Sequence, residues 1–80
     1  MINTQYIALS ELKVNESGII RDYRNKGPVA YRLRELGLVR GTKVLVKRFA
    51  PFEDPIELSV RGYSLSLRKE DAAHILVSRI

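Results

Sequence analysis

Pro28, Leu33-Arg34-Glu35-Leu36-Gly37-Leu38, Arg40-Gly41-Thr42 and Val44-Leu45-Val46 form the first half of a dense run of backbone punctuation. Ala50-Pro51-Phe52-Glu53-Asp54-Pro55, then Ile56 to Val60 ending at Arg61-Gly62, complete it. Pro28 suits the first position of a helix, where its missing N–H would find no partner in any case. Val29, Leu33 and Leu36 recur at i, i+4 and i+7, which places them on one face of a helix from Pro28 to Leu36. Gly37 can adopt the left-handed cap conformation and let Leu38 fold back on the last turn. Gly41-Thr42 then opens a strand over Lys43–Phe49, with Val44 and Val46 on one face and Leu45 on the other.

Outward from this segment the pattern is that of short strands. The two prolines of Ala50 to Pro55 keep that stretch out of a central ladder. Ile56, Leu58 and Val60 alternate with polar residues and face inward. Arg61-Gly62 is a two-residue hairpin turn, and Tyr63 to Leu67 returns antiparallel. Upstream, Leu9 to Leu12 reads as a helical turn, Val14 to Gly18 as a tight turn, and Ile19 to Tyr23 as the first strand, bounded by Asn25-Lys26-Gly27. Downstream, Lys69 to Ala73 is a short helical turn and Ile75 to Ile80 a last strand. Residues 1–8 read as an N-terminal extension and 9–80 as one domain.

The expected fold class is mainly β with short helices: a small barrel of about five strands, closed or nearly so, with a helix inserted after the first strand. Closure would remove exposed sheet edges. An SH3-like barrel is the first choice and an OB-fold its nearest rival.

Eighty residues make one small domain. Such a chain buries only about 60% of its unfolded surface, too little for a deep substrate cavity. It has no cysteine, which excludes disulfides, thiolate metal sites and a cysteine nucleophile. The N-terminal residues carry neither a basic region nor a long apolar run, so a cytoplasmic protein is expected. Fourteen Lys and Arg stand against nine Asp and Glu, a net charge of +5. That balance suits an anionic partner, whether nucleic acid, an acidic protein face or lipid headgroups, or simply a solvated surface.

The residues offer little catalytic chemistry, and no enzyme is expected. The single histidine, His74, follows Glu70 and Asp71 by four and three residues, so the three are weak candidates for a divalent metal, Fe2+ or another transition ion. A site wants three or four ligands with further support, and the competing reading is a surface histidine at a strand start. Glu53 and Asp54, between two prolines, shape a turn or hold a cation. Gly37 to Gly41 lacks the Gly-Lys-Ser/Thr ending of a phosphate loop. Arg21, Arg24, Arg32, Arg34, Lys43, Lys47 and Arg48, with Tyr23, Tyr31, Phe49 and Tyr63 as stacking platforms, leave nucleic-acid binding as the alternative function.

The order Leu33-x-x-Leu36-Gly37-Leu38-x-x-Gly41-Thr42-x-Val44 resembles the FeoA family of bacterial ferrous iron uptake. So do Ala50-Pro51-Phe52-x-Asp54-Pro55-Ile56, Val60-x-Gly62-Tyr63-x-Leu65-x-Leu67-Arg68 and Ala72-x-x-Ile75-x-Val77. The similarity covers about residues 9 to 79. It implies an SH3-like barrel and a small accessory protein that docks on and modulates a FeoB-type transporter carrying a GTP-binding domain, with weak transition-metal binding as a further expectation. Arg32, Arg34 and Glu35 on the helix and Phe52 at the tip of the proline loop are then the expected contact residues, with solvation of the arginines as the competing reading. The resemblance further implies a place at the inner face of the membrane through that partner. DNA is not an expected partner, and self-association is left open.

Overall fold

A computed structural model describes residues 6–24 and 27–80. Residues 1–5 of the expected extension, and Asn25 and Lys26 of the expected turn, lie outside the described residues. Among the described residues six strands form one antiparallel sheet: β1 (Tyr6–Ala8), β2 (Ser17–Tyr23), β3 (Lys43–Phe49), β4 (Ile56–Val60), β5 (Tyr63–Leu67) and β6 (Ile75–Arg79). Two helices accompany them, α1 (Pro28–Glu35) and α2 (Lys69–Ala72), with 3-10 turns at Leu9–Glu11 and Pro51–Glu53. The spatial order is β1-β6-β2-β3-β4-β5.

The strand count exceeds the expected five by one. Tyr6–Ala8, assigned to the extension by sequence, pairs in register with β6, Tyr6 opposite Ser78 and Ala8 opposite Leu76. The inserted helix therefore follows the second strand rather than the first. Among the described residues no ladder joins β1 to β5. One face of the sheet packs on a single core that draws Ile20, Val44, Leu58 and Val77 from the strands, Leu33 from α1 and Ala72 from α2. Leu9 and Leu12, in and just after the first 3-10 turn, are also fully buried in it.

Strand alternation sets the two faces of the sheet. On β4, Ile56, Leu58 and Val60 are buried while Glu57 and Ser59 point away, as the period of two requires. Two register shifts interrupt that period, one between Ile20 and Asp22 on β2, the other between Val46 and Arg48 on β3. Each bulge leaves one extra residue, Arg21 and Lys47, and bends its strand.

The helix end follows the sequence reading in one respect and departs from it in another. Gly37 sits at φ +94°, its N–H donating to the Arg34 carbonyl at 2.9 Å and the Leu38 N–H to the Leu33 carbonyl at 3.1 Å. These are the two bonds of a Schellman cap, and they carry Leu38 into the core. Leu36, expected on the buried stripe, is instead 38% exposed, and Ala30 and Leu33 are the helix's buried residues. The helix has only two turns, and its chain reverses at Gly37 and carries Leu38, not Leu36, into the core.

Candidate functional site

The expected contact residues lie on α1 and on the Pro51–Pro55 loop, and α2 joins the two. Asp54 accepts a hydrogen bond from the Lys69 N–H at 2.9 Å, and its other carboxylate oxygen lies 3.8 Å from the Arg68 guanidinium. Glu53 reaches the Lys69 ammonium at 3.5 Å. The residue before α2, Arg68, provides no side-chain cap, so Asp54 satisfies a free N–H of this helix from a distant loop. At the other side of α2, Asp71 receives a hydrogen-bonded ion pair from Arg32 of α1 at 2.8 Å. Loop, α2 and α1 are thus linked by charged contacts.

On α1, the Arg34 guanidinium stands 5.6 Å from the centroid of the Tyr23 ring, within cation–π range. Glu35 is exposed in the last turn. Beside them sequence reasoning missed an apolar element: Tyr31, Leu36 and Tyr63 are all exposed. The Tyr63 hydroxyl donates to the Leu36 carbonyl, which ties the start of β5 to the end of α1. No local signal marks this pairing, because 27 residues separate the partners.

Phe52 is fully exposed, with φ +67°, and Glu53 follows at φ +66°. A bulky residue in the left-handed region is uncommon and costs of order 1–2 kcal/mol. The loop holds it there through the Glu53 N–H to the Ala50 carbonyl at 2.7 Å and the Ala50 N–H to the Pro55 carbonyl at 3.0 Å, with Asp54–Pro55 in the cis form. An aromatic ring presented wholly to solvent at the tip of a strained loop contributes nothing to the core.

The expected metal ligands do not converge. Glu70 is exposed, and Asp71 is occupied by Arg32. His74 is half-buried behind α2, its N–H donating to the Asp71 carbonyl at 3.1 Å. Among the described residues, no three His, Asp or Glu side chains gather where they could hold a metal ion. These donors therefore do not fit a resident metal.

Tyr23 links the helix to the sheet. It is 4% exposed, and its hydroxyl donates to the Leu38 carbonyl just past the helix cap. Burial pushes its pKa above the ordinary tyrosine value of 10.0, against the opposing pull of the Arg34 and Arg40 charges and with a smaller push from Asp22.

Residues 7–79 match the FeoA domain family. The chain is 38% identical over 72 residues to an Fe(2+) transport protein A/Fe(2+) transporter FeoB fusion protein of Porphyromonas gingivalis; the match takes in 90% of this chain but 8% of the length of that relative. Among solved structures, an FeoA-like protein from Clostridium acetobutylicum superposes with a TM-score of 0.90 at 37% identity, covering 98% of this chain and 91% of the other. The zinc complex of FeoA from Stenotrophomonas maltophilia superposes with a TM-score of 0.78 at 29% identity, covering 90% and 89%. That protein is described as an SH3-domain protein and put forward as a ferrous iron transport activating factor.

Proposed function

The chain belongs to the FeoA domain family, and from that premise we propose that it is a docking module for a FeoB-type ferrous iron transporter, a binding partner rather than a catalyst. The observation that carries this reading is the fusion relative, in which a domain 38% identical to this chain shares one polypeptide with the transporter. A tether of that kind raises the effective concentration of the two parts to the millimolar range, so even a weak contact is populated. Whether tethered or not, such a domain makes the contact through its own surface, at the inner face of the membrane where such a transporter carries its GTP-binding domain.

The surface best suited to this is the exposed side of α1 with the Phe52 loop. Tyr31 and Tyr63 provide apolar area with polar tips, Leu36 adds purely apolar area, and Arg32, Arg34 and Glu35 surround them with charge of both signs. Interfaces are anchored by a few aromatic and arginine side chains, with the remaining contacts excluding water. Phe52 supplies an anchor whose exposure and backbone strain have no other use in the fold.

The test is an NMR titration of the labelled chain with the purified GTP-binding domain of its transporter. Saturable shifts at 28–38 and 51–55 support the docking reading. A folded chain that shows no shifts with either that domain or the intact detergent-solubilised transporter refutes it.

A further inference from the structure

The sheet face turned away from the core carries charge that the fold does not neutralise. Arg21, Lys43, Lys47 and Arg61 enter none of the ion pairs among the described residues. Three of them donate to hydroxyls instead: Arg21 to Ser78 at 2.9 Å, Lys47 to Ser64 at 2.8 Å and Arg61 to Thr42 at 3.1 Å. Two of the four, Arg21 and Lys47, are the extra residues of the two β-bulges. Bulges commonly re-aim a side chain, and here both add a cation to the same face.

Towards the Arg61 end of this face, Lys43 and Arg61, with Ser17 and Ser59, rim a shallow depression of about 390 Å³ with Leu45 in its lining. Among the described residues no carboxylate lines it. At its edge, Glu16 is matched by Arg79 at 3.7 Å and leaves the excess charge unchanged. Among the described residues, the only aromatic side chain in register with this face is Tyr6, opposite Ser78 on the edge strand.

We propose that this outer face seats on an anionic lipid bilayer, with the depression between Lys43 and Arg61 taking a lipid phosphodiester. A bilayer matches a broad, open sheet face better than a peptide, which would need a groove or a free sheet edge. It matches better than a single-stranded nucleic acid, which needs successive aromatics to stack its bases, where this face has one at its margin. Half-buried Ile19 and Leu45 between the cations, and Tyr6 at the rim, give the mixed apolar and basic character of an interfacial surface. Where the chain would meet such a bilayer rests on the transporter reading; the affinity for lipid does not, and is measured without the transporter.

The experiment is co-sedimentation of the whole chain with vesicles of phosphatidylcholine alone and of phosphatidylcholine with phosphatidylglycerol, at low and high salt. Binding is expected only to the anionic vesicles and is expected to weaken as salt screens it. Each basic residue near an anionic surface contributes roughly fivefold in affinity, so Lys43→Gln should cost about fivefold and Lys43→Gln with Arg61→Gln about 25-fold. Because Arg61 lies in a tight turn, Lys43→Gln with Lys47→Gln repeats the test on exposed strand residues, with circular dichroism confirming the fold. Arg32→Gln removes the same formal charge from α1 and should leave vesicle binding within about twofold. Equal binding to neutral vesicles would overturn the proposal. So would an Arg32→Gln loss matching that of Lys43→Gln, or binding of single-stranded DNA with none of anionic vesicles. In each of these cases the docking reading stands or falls separately, on the transporter titration.

Discussion

Arg32 on α1 and Asp71 on α2 form an ion pair at 2.8 Å, so a residue expected to face a partner and one expected to hold a metal are each other's partners. Their environments are unequal: the Arg32 side chain is 56% exposed and that of Asp71 only 16%. Removing the arginine therefore strands a carboxylate with little water around it, while removing the acid releases a solvated guanidinium. Arg32→Gln should cost up to about 1 kcal/mol of stability, and the double-mutant cycle with Asp71→Asn should give a coupling of roughly 0.5 kcal/mol in chemical denaturation. A coupling near zero would mean that α1 and α2 are held together by core packing alone.

The same pair bears on metal binding. A divalent ion at Asp71 has to displace the guanidinium, and neither Glu70 nor His74 joins Asp71 in a three-ligand group. Ferrous iron, added anaerobically at a concentration well above the protein's, should leave the melting temperature of the native chain unchanged, because only a ligand that favours the folded state raises it. A rise abolished by His74→Ala would show that α2 rearranges to bind metal.

Gly37 and Gly41 both have positive φ, +94° and +88°, but only Gly37 is also crowded. A Cβ at Gly37 would lie 2.9 Å from the Tyr63 hydroxyl oxygen, whereas nothing comes within 4 Å of one at Gly41. Gly41→Ala should cost the left-handed backbone penalty, about 1–2 kcal/mol. Gly37→Ala should cost more, since it also pushes Tyr63 off the Leu36 carbonyl. Gly37→Ala in a Tyr63→Phe background should approach the Gly41→Ala value if that hydroxyl is the source of the difference.

What could be read from the chain follows the range of the interaction responsible. The Gly37 cap and the Arg61-Gly62 turn, both with positive φ, were legible because each needs a conformation that glycine accepts and that a few neighbouring residues specify. Tyr6–Ala8 escaped because a three-residue strand has no periodicity and its partner, β6, lies at the other end of the sequence. Arg21 and Lys47 were visible as cations, but a period-two reading has no place for an extra residue, so their common face was not. The candidate site divides in the same way. Phe52 at a loop tip between prolines was legible, whereas the Arg32–Asp71 pair spans 39 residues and could be found only in three dimensions.

Tyr23 gives the fold an alkaline limit. Its folded pKa is raised, chiefly by burial, above the 10.0 of the unfolded chain. The neutral phenol is the form the core favours, so its contribution is fully present below pH 10 and is lost as pH climbs from there through the raised folded value. Unfolding measured from neutral pH upward should show a fall in stability above about pH 10 that is reduced in Tyr23→Phe. At neutral pH the same variant should be about 1–2 kcal/mol less stable, because the Leu38 carbonyl loses its donor in a buried setting. An unchanged alkaline slope in Tyr23→Phe would show that the loss does not come from Tyr23.

Phe52 separates stability from binding. It is wholly exposed, so truncating its side chain removes no core contact, and Phe52→Ala should leave stability within about 0.5 kcal/mol. Its φ of +67° is one that glycine adopts freely, so Phe52→Gly should relieve strain and raise stability by up to about 1 kcal/mol, less the entropy glycine regains in the unfolded chain. Both variants should weaken transporter binding by roughly tenfold or more if the ring is an interface anchor. The Phe52→Gly result is the more telling, since a more stable protein that binds less well cannot be explained by unfolding. If Phe52→Gly gains stability and binds the transporter as tightly as the native chain, the ring has no part in docking and the exposed side of α1 must carry the contact alone.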